Sequence, residues 1–67
     1  MMIIFKSKFI KEMKTKYAID IVVDINYPNV YMVYFPTYKG SEEYGQKRIE
    51  GFDEVEKFCK QLQKIYE

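Results

Sequence analysis

Residues 3–25 read IIFKSKFIKEMKTKYAIDIVVDI, and the period of this stretch decides the fold. Odd positions carry Ile3, Phe5, Phe9, Met13, Tyr17, Ile19, Ile21, Val23 and Ile25, interrupted by Ser7, Lys11 and Thr15. Even positions carry Lys6, Lys8, Glu12, Lys14, Lys16, Asp20 and Asp24 among Ile4, Ile10, Ala18 and Val22. Alternation of period two with one apolar face is the mark of half-buried strands. The stretch is too long for one strand, whose usual length is about 5–6 residues. The polar run 11–16 is the place to fold back, which gives a hairpin with strands at 2–10 and 16–26. That turn contains no Gly, Pro or Asn, and Ile10, Met13 and Tyr17 also fit a short helical stripe, so a short helix at 11–16 is the alternative.

Working outward, Asn26-Tyr27-Pro28-Asn29 predicts a tight turn, because Pro presets the φ that such turns need. A strand at 30–35 follows, with Tyr31, Val33 and Phe35 alternating against Met32 and Tyr34, and Pro36 ends ladder pairing or confines it to an edge. Residues 37–47, with Gly40, Ser41 and Gly45, read as a loop, and a short fourth strand fits around 47–50. Asp53 and Glu56 form a capping-box-like pair at the start of a helix of about fourteen residues. Val55, Phe58, Cys59, Leu62, Ile65 and Tyr66 recur at three- and four-residue spacing on one stripe. Glu54 and Glu56 near its start and Lys64 near its end suit the helix dipole, and Glu56 with Lys60 is a favourable i,i+4 pair.

Composition supports a sheet. Val, Ile, Thr, Phe and Tyr make up 27 of 67 residues, against one Leu and one Ala, and β-branched and aromatic side chains suit a pleated surface. The expected fold is therefore α+β, one small domain over residues 1–67: a three- to four-stranded antiparallel sheet with a C-terminal amphipathic helix across its odd-numbered face.

The same composition excludes much chemistry. The chain has no His and one Cys, which removes Ser-His-Asp triads, Cys-His dyads, His-based zinc sites and internal disulfides. A net charge of +1 exerts little pull on nucleic acid or anionic lipid. No stretch approaches the ~18 apolar residues of a membrane span, and Lys6 and Lys8 interrupt any signal-peptide core. A cytoplasmic, intracellular protein is the expectation, with no membrane association and no cofactor.

Asp20 and Asp24, four residues apart on a strand, lie roughly 13 Å apart, too far for a carboxylate dyad or a shared metal. They read as solvent-facing, with Lys6 and Lys8 as cross-strand partners. Glu42 and Glu43 lack a third ligand, and Gly40-Ser41 with Gly45 matches no phosphate-binding pattern. Cys59, on the apolar stripe, reads as a small core hydrophobe. The protein is not expected to be an enzyme, and no small-molecule substrate is expected.

Two surfaces remain as candidates. The even face would carry Ile4, Ile10, Val22, Met32 and Tyr34 among Lys and Asp, a mixture that suits a protein partner or a homodimer. Lys6, Lys8, Lys11, Lys14 and Lys16, with aromatic neighbours, are the alternative, a nucleic-acid contact.

From Lys16 onward the order is strand, turn, a strand ending Tyr34-Phe35-Pro36, loop, then Gly51-Phe52-Asp53-Glu54-Val55-Glu56 and helix. This resembles the small HicB-type antitoxin domain, which implies a partial ribonuclease-H-like fold without nuclease chemistry and a toxin as partner. The chain departs from that family in its longer loop between Pro36 and Gly51, in lacking a strand after the helix, and in its first fifteen residues. The Gly-Phe-Asp entry after three strands is also similar to the arm-type DNA-binding domains of phage integrases. That likeness implies a sheet that reads DNA, which would need more Arg and Lys than this one carries.

Overall fold

A computed structural model describes the backbone of residues 2–67 and the side chains from Lys6 onward. Among the described residues the order is α1 (Met2–Tyr17), β1 (Asp20–Val23), β2 (Val30–Pro36), β3 (Tyr44–Glu50) and α2 (Phe52–Tyr66). The strands form one antiparallel sheet in the order β1-β2-β3. The expected α+β architecture is present, but its first element is different. Residues 2–10 are helical, the expected second strand shortens from 16–26 to β1, and the fourth strand sketched at 47–50 is β3, starting three residues earlier.

α1 forms because Phe9, Ile10, Met13 and Tyr17 share one helical side, the stripe a helix needs to bury. Met13 is buried, and Phe9, Ile10 and Tyr17 pack against the same core. Lys, Glu and Met favour helix, and Glu12 pairs with Lys16 at 3.1 Å one turn on. The helix ends at Ala18, which adopts a left-handed φ of 59°. The Ala18 N–H donates to the Lys14 carbonyl and that of Ile19 reaches back to Met13, an arrangement usually reserved for Gly. Ala18→Gly is therefore expected to stabilise the fold by about 0.5–1 kcal/mol, relief of the left-handed strain exceeding the added chain entropy. The midpoint of thermal unfolding should rise by about 2–8 °C. A variant no more stable than wild type would show that Ala18 is not left-handed in solution.

Both helices cover the odd face. Ile21, Tyr31, Val33 and Ile49 of the sheet join Met13 of α1 and Phe52, Val55, Cys59, Leu62 and Tyr66 of α2 in one buried cluster. The helices run in the same direction, since Phe9 meets Phe52 edge-on at 5.6 Å and Tyr17 stacks on Tyr66 at 6.3 Å. The Tyr66 hydroxyl donates to the Pro36 carbonyl at 2.6 Å, tying the end of α2 to the end of β2.

α2 departs from its sequence reading in three details. It starts at Phe52 after Gly51, whose φ of 90° makes the turn out of β3 without a side-chain cap. Asp53 thus lies in the first turn instead of capping it. Lys57 pairs with Glu54 at 3.3 Å, the ion pair that α2 forms among the described residues. Phe58 is half-buried and Ile65 exposed, so the buried stripe is Phe52, Val55, Cys59, Leu62 and Tyr66.

The turn into β2 spans Tyr27 to Val30, where the Val30 N–H donates to the Tyr27 carbonyl with Pro28 in second place. In the 37–43 connection the Ser41 hydroxyl accepts from the Glu43 N–H at 3.0 Å and lies 3.1 Å from the Thr37 hydroxyl. Gly45 faces Phe35 across the β2–β3 ladder, and an added Cβ would come within 2.9 Å of the Phe35 ring.

Candidate functional site

With both helices on the odd face, the even face of the sheet carries no covering element among the described residues. Its side chains run in rows set by the register. Val22, Met32 and Arg48 stand opposite one another across the three strands, and Asp20, Tyr34 and Gln46 form the next row. Val22 is 44% exposed, and Met32 and Tyr34 are half-buried. At one end the Arg48 guanidinium lies over the Tyr27 ring at 5.2 Å and 4.0 Å from the Asp24 carboxylate. At the other end Tyr44, 52% exposed, stands beside Pro36.

The structure brings together three of the five residues expected at a protein interface: Val22, Met32 and Tyr34. Ile10 is on α1 and packs against the core from the opposite side. Ile4 also belongs to α1, and its side chain lies outside the described residues. The hairpin expected from the sequence puts both on the even face, and the helix that forms instead takes them off it. Arg48, Gln46 and Tyr44 complete the face and come from β3, most of which reads as loop in the sequence.

The five lysines do not form one surface. At 100° per residue, Lys8 and Lys11 lie about 60° apart on the outer side of α1, Lys14 and Lys16 lie on its two opposite flanks, and Lys6 turns toward α2. The Lys6 ammonium lies over the Phe52 ring at 5.4 Å. Lys14 is 4.0 Å from Asp20. The carboxylates expected to meet Lys6 and Lys8 therefore face other cations, Asp20 the ammonium of Lys14 and Asp24 the guanidinium of Arg48. Asp24 has a structural task besides, accepting the Asn26 N–H at 2.8 Å to start the turn.

No group of three His, Cys, Asp or Glu that could hold a metal ion occurs among the described residues. No helix among them is long and apolar enough to cross a membrane. Cys59 is fully buried, and burial, with Glu56 nearby, pushes its thiol from 9.0 up to about 11. It is neutral at physiological pH and lacks the thiolate a nucleophile needs. Burial likewise raises the Tyr66 hydroxyl, with Tyr44 and Cys59 adding to it. The native state holds the thiol proton more tightly than the unfolded chain. Stability should thus be level below pH 9 and fall as pH rises toward 11, by about 2–3 kcal/mol for Cys59. Urea unfolding of wild type and Cys59→Ala between pH 8 and 11 isolates this contribution. A stability difference between the two that does not change with pH would place the thiol in water.

The chain matches no protein-family model, no curated protein and no solved structure. The likenesses to the antitoxin and integrase domains therefore rest on their short motifs alone.

Proposed function

We propose that the protein is a small, non-catalytic binding module of the accessory or inhibitor kind, which takes a protein partner on the even face of its sheet. One observation carries this reading: the Val22–Met32–Arg48 row and Tyr34 lie on a sheet face with no element packed over them among the described residues. Tyr, Met and Arg are the side chains enriched at protein interfaces. Apolar surface surrounded by Asp20, Asp24, Gln46 and Glu50 has the mixed character of an interface core and rim. Three carboxylates against Arg48 make the face a poor complement to phosphate, which favours protein over nucleic acid there.

The test is capture from native lysate with wild type, Met32→Asp and Tyr34→Ala, with and without nuclease. Light scattering over a concentration series tests self-association in parallel. A partner, or a dimer, that survives nuclease and is lost in both folded variants is the expected result. Removing a central Tyr should cost about 2 kcal/mol or more of binding, a factor of about thirty. Partners retained equally by both variants, or released by nuclease, would end this reading of the face.

A further inference from the structure

A second feature, apart from the Val22–Met32–Arg48 row, is a cleft of about 470 Å³ where the ends of α1 and α2 meet the 38–41 turn. Its size lies within the range of about 300–1,000 Å³ usual for small-ligand sites. Lys14, Lys16 and Lys39 line it from two separate parts of the chain, together with Tyr17 and Tyr44, with the Lys16 ammonium turned back along α1 to Glu12, and Glu67 is its one carboxylate among the described residues. Gly40, at φ 81°, leaves the space beside its backbone open where a Cβ would stand.

The cations are available. Lys39 makes no ion pair among the described residues. Lys14 and Lys16 are held by exposed carboxylates at 4.0 and 3.1 Å, surface pairs of a kind that hold weakly and that a dianion can displace. Aromatic surface is available too: Tyr17 lies half-buried on Tyr66, and Tyr44 is 52% exposed. The cleft shares Lys14, Ala18 and Tyr44 with a shallower one of about 420 Å³ that continues to Tyr34. Two Tyr rings thus stand along a path with Lys14 beside it. Alternating stacking surface and positive charge is the pattern by which proteins hold nucleotides and single strands.

We propose that this cleft binds a nucleoside monophosphate group, either free or as the end of a single-stranded nucleic acid. The phosphate lies between Lys14 and Lys39, and the base stacks on Tyr44. The binding is non-catalytic and needs no metal. The sequence reading includes Lys14 and Lys16 in a basic nucleic-acid contact, but Lys39 and Tyr44 lie too far along the chain to join them until the fold gathers them.

The test is a titration of the 15N-labelled full chain with the four ribonucleoside 5′-monophosphates, with adenosine and with inorganic phosphate, at low and physiological salt. Saturable shifts at the amides of 14–18 and 39–44 are expected. Adenosine or phosphate alone should bind about tenfold more weakly, since each keeps half of the contacts. Lys39→Gln and Tyr44→Ala should each weaken binding about fivefold or more, and Lys8→Gln, on the outer side of α1, should not. A 5′-phosphorylated tetranucleotide that binds about tenfold tighter than the mononucleotide assigns the site to a strand end. Equal affinity assigns it to a free nucleotide. No saturable shift at millimolar nucleotide would overturn the proposal, as would phosphate alone binding as tightly as the nucleotide. So would equal weakening by Lys8→Gln, which would mean that diffuse charge is responsible. Tyr44 borders both surfaces, but Lys39 belongs to the cleft alone, so Lys39→Gln, which should leave partner capture unchanged, lets this site and the protein-binding face fail separately.

Discussion

Phe52→Ala is expected to remove about 3–5 kcal/mol of stability, the usual cost of truncating a buried Phe. A domain of this length has roughly 3–10 kcal/mol to lose, so the variant should be largely unfolded or close to it. The reason is position. Phe52 is 8% exposed at the first turn of α2, and its ring meets Phe9 of α1 and Tyr31 of β2, each edge-on at 5.6 Å. Truncation would open a gap where three elements meet, and no single one of them can close it. Phe58, which the stripe of α2 places with Leu62 against the odd face, is half-buried at the margin, edge-on to Phe35 at 5.2 Å with the Lys47 ammonium over it, whereas Leu62 is buried. Phe58→Ala should cost clearly less, about 1–3 kcal/mol. Urea unfolding followed by circular dichroism orders the two variants, and equal losses would show that α1 is not anchored on Phe52.

The sequence shows the sheet and the C-terminal helix but hides α1, for an arithmetical reason. Phe5, Phe9, Met13 and Tyr17 are spaced by four. Four is a multiple of two, so these residues satisfy the alternation of a strand as well as the stripe of a helix. The residues between them separate the two patterns. Ser7, Lys11 and Thr15 occupy the same strand face and are polar, which a buried strand would not tolerate but a helix turns toward solvent. The end of α1 is hidden as well, because Ala18 takes the left-handed conformation in a place where Gly would have announced a stop. β1 and β2 were legible because Ile21, Tyr31 and Val33 are buried while Val22, Met32 and Tyr34 between them are more exposed, although Val23, Val30 and Pro36 break the alternation at the strand ends.

The even face was half legible. Val22, Met32 and Tyr34 follow from alternation within β1 and β2, whereas Tyr44, Gln46 and Arg48 do not. β3 is an edge strand with one bare side, and Ile49 is its buried residue, so it has no apolar alternation to read. Gly45 looks like a loop residue, yet it gives up its side chain to the Phe35 ring on the neighbouring strand. That requirement arises between strands and leaves no trace in local sequence.

Val33→Asp and Met32→Asp, one residue apart on the central strand, should give opposite results. Val33 is fully buried between the sheet and α2, and a carboxylate there has no partner among its apolar neighbours. An uncompensated buried charge costs about 3–5 kcal/mol, enough to abolish the cooperative unfolding transition. At position 32 a carboxylate projects from the face that no helix covers, opposite Arg48 on β3. Cross-strand pairs of opposite charge contribute about 0.2–1 kcal/mol, which offsets much of the loss in strand propensity and packing. Met32→Asp should therefore fold with a midpoint close to wild type while losing any partner that sits on Met32 and Tyr34. Circular dichroism melts of the two variants, followed by the capture experiment with Met32→Asp, separate the faces by their function. If Met32→Asp unfolds as Val33→Asp does, Met32 is buried in solution and the even face is covered. If both fold, the helices do not pack where the odd face places them. Collapse of Val33→Asp and folding of Met32→Asp would place stability on one side of the sheet, and loss of the captured partner by the folded Met32→Asp would place binding on the other.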